Sequence, residues 1–140
     1  VNGHMASTAI CYEVTYPSLM REAVRQGSEL LTTVTNDAWY GESSAPFQHF
    51  EMAAMRAIEQ GRYLVRAANT GISGIVDPYG RVIARTRLGE TTVVVGEARF
   101  VQARTLYATM GDRVAHAAIV LTVLALAAAL WRPWHSSSTT

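Results

Sequence analysis

The run from Val114 to Trp131, VAHAAIVLTVLALAAALW, constrains this chain more than any other feature, because only His116 and Thr122 interrupt its apolar character. Its length is close to the roughly 20 apolar residues that carry a helix across the hydrocarbon layer of a bilayer. It is read as a transmembrane helix over 113–132, following a folded part over 1–112 and preceding a polar tail over 133–140. Arg113 and Arg132 close the two ends, Trp131 and Trp134 stand where an interfacial aromatic belt lies, and HSSSTT trails behind them. The alanine richness of the run keeps a second reading open, that of a helix buried in a protein core. One arginine on each side leaves orientation undecided by charge bias. Val1 to Ala9 has neither the basic start nor the apolar centre of a secretory leader.

Upstream, short β-rich runs alternate with helical ones, the signature of an α/β layer structure. Strands are expected at Met5–Ile10, Glu29–Thr35, Tyr63–Ala68, Gly71–Val76, Arg81–Thr86 and Thr91–Glu97. Helices are expected from Pro17 to about Gly27 and from about Phe47 to Arg62, the second with an apolar stripe of Phe47, Phe50, Ala54, Met55 and Ile58. Asp77-Pro78-Tyr79-Gly80 reads as the turn of a hairpin. Composition narrows the class: 49% hydrophobic residues and 16% charged in 140 residues describe a chain that folds, with room for about one domain. The net charge is +1, and all 12 basic residues are arginines scattered from Arg21 to Arg132, with no lysine in the chain. That distribution offers no basic stripe to track a phosphate backbone, so nucleic acid is excluded as an expected partner. A single cysteine, Cys11, excludes an internal disulfide and any multi-cysteine metal site.

Cys11 is the strong nucleophile of the chain, and it lies where a strand ends and a helix is about to begin. There a sharp turn presents a side chain, and nearby backbone amides stabilise a thiolate or an oxyanion. A lone cysteine at the end of an apolar strand is also, more blandly, a small hydrophobe. Glu13 stands two residues away, on the same side if the chain remains extended. A carboxylate so close disfavours a thiolate, so a working nucleophile needs a cation or a proton acceptor from elsewhere in the fold.

Several motifs carry a resemblance. Ile10-Cys11-Tyr12-Glu13, Asn36-Asp37-Ala38-Trp39-Tyr40-Gly41, Gln48-His49-Phe50 and Arg66-Ala67-Ala68-Asn69-Thr70-Gly71-Ile72-Ser73 resemble the second half of the nitrilase superfamily, and within it the apolipoprotein N-acyltransferase branch. The likeness continues through Thr105, Tyr107, Gly111 and Asp112 into the terminal apolar run. It implies the C-terminal part of a nitrilase-type α-β-β-α sandwich followed by one transmembrane helix. It also implies a reaction with no cofactor and no metal. An acyl chain passes from a membrane phospholipid to a cysteine as a thioester, then to the N-terminal amine of a lipoprotein's lipid-modified cysteine. On this resemblance Cys11 is the acylated nucleophile, the backbone N–H of Tyr12 an oxyanion donor and Glu13 an essential residue that orients the site. Trp39 and Tyr40 stand near the mouth of the acyl pocket, with ordinary core packing as the competing reading. Asn36, Arg66 and Asn69 shape the site through hydrogen bonds. His49 is expected to be structural rather than a base. The catalytic part belongs on the periplasmic side of the bacterial inner membrane.

One departure is plain. Nitrilase-type catalysis uses a Glu-Lys-Cys triad whose Glu and Lys precede the cysteine in the chain, and here the ten residues before Cys11 hold neither. The expectation is a piece of a longer enzyme, inactive by itself, with upstream membrane helices missing. Two alternatives remain: a carbon-nitrogen amidase merely anchored by its tail, and a non-catalytic membrane-bound binding module or decayed enzyme.

Overall fold

A computed structural model describes Gly3 to Trp131, arranged as one unit up to Thr109 and another from Met110 onward. The expected roles of Arg132 and Trp134 and the polar tail over 133–140 fall outside the described residues. The first unit runs β1 (Ala6–Ile10), a 3₁₀ turn (Cys11–Thr15), α1 (Pro17–Arg25), β2 (Leu30–Asn36), a second 3₁₀ turn (Ala38–Tyr40), α2 (Ala45–Gln60), β3 (Leu64–Asn69), β4 (Gly74–Val76) and β5 (Val82–Arg85). A short helix α3 (Leu106–Met110) follows, and then α4 (Arg113–Trp131).

The five strands form one mixed sheet in the order β1-β2-β3-β4-β5, the α/β fold anticipated. β1, β2 and β3 are parallel, while β4 and β5 return antiparallel. Parallel neighbours joined by helical crossovers take a right-handed path, so sequential strands place α1 and α2 on the same face. The two helices touch one another there. Between them and the sheet lies the core: Met20 and Val24 from α1, Leu31 and Leu64 from the strands, and Phe50, Ala53, Ala54 and Ala57 from α2. Among the described residues of this unit the other face carries no helix. Ile10, Val34 and Ala67 line up across it in register, with Ile10 63% and Val34 46% exposed. One sheet covered on one side is what half of a two-sheet sandwich presents.

Local expectations hold with four corrections. α2 begins two residues early, at Ala45 with Pro46 in its first turn, and its buried face is Pro46, His49, Phe50, Ala53, Ala54, Ala57 and Gln60. Phe47, Met55 and Ile58 of the expected stripe are exposed, because small alanines rather than bulky side chains let the helix lie close on the sheet. β4 starts only at Gly74, since Thr70 adopts φ 59° and sends the chain into a loop before pairing resumes. The strand expected at Thr91–Glu97 is absent: the segment finds no ladder partner among the described residues, and Val93 and Val95 face outward. The hairpin at Asp77–Gly80 forms as anticipated, closed by Gly80 N–H donating to the Asp77 carbonyl at 3.0 Å.

α4 is a 19-residue helix with mean hydropathy 2.2 over its most apolar window, long and apolar enough to cross a membrane, and none of its residues is buried. Thr122 does not break it, because its hydroxyl donates to the Ala118 carbonyl at 2.8 Å and so satisfies itself within the helix.

Candidate active site at the carboxyl ends of the parallel strands

In open parallel sheets, ligands gather beyond the carboxyl ends of the strands. All three such ends carry residues singled out above: Cys11 after β1, Asn36 closing β2, Asn69 closing β3. Cys11 has φ 53°, the left-handed region that a residue with a side chain enters at a cost of about 1–2 kcal/mol. This bend lifts the thiol off the strand line at the mouth of the 3₁₀ turn, where it is partly exposed. The turn corrects the extended geometry assumed for Glu13. Its carboxylate folds back to accept the Ile10 N–H at 2.8 Å, clamping the turn that carries the cysteine. Tyr12 sits in the same turn with its ring exposed, edge-on to Tyr16 at 5.8 Å between centroids.

Parallel register brings the next two ends together. Asn36 and Asn69 are direct partners, and Asn69 Nδ2 donates to Asn36 Oδ1 at 3.3 Å while the Ala38 N–H donates to the same oxygen at 3.1 Å. The Asn36 side chain thus starts the 3₁₀ turn bearing Trp39 and Tyr40. Trp39 is 85% exposed and is no core aromatic; Tyr40 is half-buried, edge-on to the His49 ring at 6.1 Å. Burial, with lesser contributions from the neighbouring Cys11 and Asp37, pushes the Tyr40 phenol above its ordinary range, so it stays neutral. A cavity of about 470 Å³ opens beside this turn, lined by Ala38, Gly41, Glu42, Phe47, Thr70 and Leu88 among others. A larger groove, about 820 Å³, lies around Pro78, Tyr79 and Phe100, and Cys11 is not on its walls.

Arg66 points into the helix-covered side of the sheet, fully buried. Its Nη2 donates to Asp37 Oδ2 at 2.8 Å and its Nε to the Ile72 carbonyl at 3.2 Å. Asp37 is equally buried, and its Oδ1 accepts the Thr35 hydroxyl and His49 Nδ1, each at 3.0 Å. Burial draws the Arg66 guanidinium below its ordinary range, and the charge of Asp37 works against that shift. His49 Nδ1 also lies 3.1 Å from Arg66 Nη2, so the same ring nitrogen stands between the carboxylate and the guanidinium. Gly71 is required beside this cluster: a Cβ there would stand 2.2 Å from Asp37 Oδ2.

The structure therefore gathers Cys11, Tyr12, Glu13, Asn36, Tyr40, Arg66 and Asn69 at one end of the sheet, with Trp39 on its rim. Sequence reasoning passed over Asp37 as a functional residue. Its signal was its place within Asn36-Asp37-Ala38-Trp39-Tyr40-Gly41, but the partners that give it meaning lie 12 and 29 residues along the chain on other elements.

Residues 1–107 match the carbon-nitrogen hydrolase family. Among curated relatives, the apolipoprotein N-acyltransferase of Shewanella oneidensis is 46% identical over 110 residues, covering 79% of this chain and 21% of the relative. That of Vibrio vulnificus is 37% identical over 131 residues, covering 94% of this chain, a stretch that takes in most of α4, and 25% of the relative. The chain thus spans about a fifth to a quarter of the length of these relatives. Among solved structures, an alanine mutant of the Nesterenkonia AN1 amidase from the nitrilase superfamily superposes with a TM-score of 0.51 at 25% identity, covering 63% of this chain and 36% of that one. Another form of the same amidase, at 26% identity and the same TM-score, carries the acetamide moiety of fluoroacetamide on its active-site cysteine.

Proposed function

The chain belongs to the carbon-nitrogen hydrolase family, and we propose that it forms part of a membrane apolipoprotein N-acyltransferase with Cys11 as the nucleophile. The observation that carries this reading is the left-handed Cys11 at the carboxyl end of β1, facing residues from the ends of β2 and β3. The relatives named above supply the acyl-transfer chemistry, and the amidase that carries an acetamide moiety on its active-site cysteine supports the thiol as the reacting atom. In the first half-reaction the Cys11 sulfur attacks an ester carbonyl of a phospholipid. A C–S bond forms, the C–O bond breaks, and the lyso-lipid alcohol leaves with a proton. In the second, the N-terminal amine of a lipid-modified cysteine attacks the thioester, an amide forms, and the thiol is restored with the proton shed by the amine. One difficult transfer becomes two easier ones, which predicts ping-pong kinetics.

Tyr12 N–H serves as an oxyanion donor in this reading, and Glu13 acts by holding the turn. Asn36 and Asn69 brace the neighbouring strand ends, and Trp39 with Tyr40 borders the acyl channel. α4 spans the inner membrane with the sheet unit on the periplasmic side. Because the chain contains no lysine, the cation of a Glu-Lys-Cys triad comes from outside these 140 residues, and the chain alone is inactive. Supplying a labelled phospholipid and a diacyl lipopeptide to the full-length parent tests the proposal. A hydroxylamine-labile label on Cys11 and its loss in Cys11→Ala are expected; N-acylation by the 140-residue chain alone would contradict the claim of inactivity. The likeness to an amidase favours a second reading, in which the parent hydrolyses small amides and leaves phospholipid untouched.

A further inference from the structure

The turn that carries Cys11 is held against a cost, because its first residue stands in the left-handed region at φ 53°. Such a residue persists only where its surroundings over-determine it. Some of the restraints are local. The Glu13 carboxylate accepts the Ile10 N–H at 2.8 Å, the Tyr16 N–H donates to the Glu13 carbonyl at 3.1 Å, and the Thr15 hydroxyl donates to the Tyr12 carbonyl at 2.7 Å. These bonds fix the shape of the turn but not its place in the fold.

Its place comes from the core and from α2. Val14, fully buried, plugs the turn into the core. His49 and Arg56, seven residues apart, lie on one face of α2, and both are buried. The His49 ring stands 6.3 Å from the Tyr12 ring, near the start of the turn, and Arg56 Nη1 donates to the Thr15 carbonyl at 3.2 Å, at its end. Carbonyls in the last turn of a helix lack a partner inside it, so this one is open to a donor from another element. Arg56 is itself held by Glu59, whose Oε1 accepts its Nη2 at 2.8 Å. With its charge met by that carboxylate, the guanidinium acts on the Cys11 turn as an oriented donor.

We propose that Arg56 is a positioning residue for Cys11: by pinning the Thr15 carbonyl to α2 it keeps the Cys11–Thr15 turn closed, and with it the left-handed cysteine and the neighbouring Tyr12 N–H. The planar fork suits this task, because one arm meets the carbonyl while the other meets the Glu59 carboxylate, and a lysine ammonium on its flexible stem does this less well. The hydrogen bonds of Arg56 go to Thr15 and Glu59, not to Trp39 or Tyr40, so its loss is read in kcat rather than KM.

The role rests on Cys11 being the nucleophile, and two readouts in the full-length parent separate the claims. The first is amide hydrogen exchange at Ile10 and Tyr16, whose N–H groups close the turn onto Glu13. Arg56→Met is expected to speed exchange there about tenfold and to leave the amides between β2 and β3 unchanged. The second is phospholipid-to-lipopeptide transfer, in which Arg56→Met should lower kcat about tenfold with KM within about twofold. Thr15→Val, which removes the hydroxyl bond inside the same turn, should lower kcat about threefold. Since both changes loosen one turn, the double variant is expected near the roughly tenfold loss of Arg56→Met, not near the roughly thirtyfold product of the two. Arg56→Lys should fall between the parent and Arg56→Met in both readouts, and it stands in for the Met variant if that one does not fold. Exchange that stays at the parent's rate overturns the clamp. Faster exchange with kcat unchanged, or a fully multiplicative double variant, overturns the positioning role. Faster exchange as expected, with no transfer from phospholipid by the parent itself, upholds the clamp and defeats the acyltransferase reading instead, and the kcat comparison passes to the hydrolysis of small amides.

Discussion

α2 and α4 are helices of similar length, 16 and 19 residues, and both draw heavily on alanine and other apolar side chains. They solve the burial problem in opposite ways. α2 keeps one narrow face of small residues, Ala53, Ala54 and Ala57 around Phe50, close against the sheet, and spends its polar residues His49 and Arg56 on contacts with neighbouring elements. α4 has no buried face at all; it is apolar all round, with even Thr122 turned onto its own backbone. By length and composition such a helix is apolar enough to cross a membrane. The lesson is that alanine content does not separate a core helix from a membrane helix. The distribution of polar groups around the circumference does.

The contrast is open to attack at each end. Removing the one large apolar side chain that α2 buries, Phe50→Ala, should cost about 3–5 kcal/mol in denaturant unfolding of the sheet unit, because the small residues beside it cannot close the cavity. Placing a charge at the centre of α4, Leu124→Arg, should weaken membrane insertion by about 2.5–3.5 kcal/mol, read by carbonate extraction, and leave unfolding of the sheet unit unchanged. If Leu124→Arg instead disrupts that unit and leaves membrane association intact, α4 is a core helix after all.

Two smaller effects sharpen the comparison. Asp77 in the β4–β5 hairpin sits below the ordinary carboxylate range. Burial pushes it up, but the N–H groups of Arg81 and Tyr79 and the Arg81 guanidinium together pull it further down. A depressed carboxylate stabilises the fold above its unfolded value, near pH 4, and the contribution is lost as the pH falls through the lower folded value. Asp77→Asn should therefore cost about 1 kcal/mol at pH 7 and nothing once both forms are protonated, as measured by thermal melts across pH. Met55→Gln, on the exposed side of α2 and inside the stripe expected to be core, should shift stability by no more than about 0.5 kcal/mol. A larger loss would restore the original stripe.

The order of elements in the sheet unit was legible because strand and helix periods are written in neighbouring residues. Pro17 starting α1 and the Asp77–Gly80 turn were read on that basis and stand in the structure. The failures share a cause. Thr91–Glu97 has strand composition, but a strand exists only when another offers its backbone, and none does. Phe47, Met55 and Ile58 have helical spacing, yet the choice of buried face depended on how closely α2 approaches the sheet. In the site, the place of Cys11 at a strand end was legible, while the hydrogen-bond partners of Asp37 and Glu13 were not. Glu13 turned inward to the Ile10 amide because the chain bends immediately at Cys11.

By itself, then, the sequence determined that a long apolar helix follows an α/β unit, that its one thiol stands where a strand meets a turn, and that no lysine lies within these 140 residues. Only the tertiary structure decided that Asp37, His49 and Arg66 meet under the ends of β2 and β3. Their meeting depends on the parallel register that sets Thr33 against Arg66 and Asn36 against Asn69, and on α2 packing His49 down onto the strand ends. Such convergence is fixed by packing between segments some 30 residues apart, and a local pattern carries no record of it.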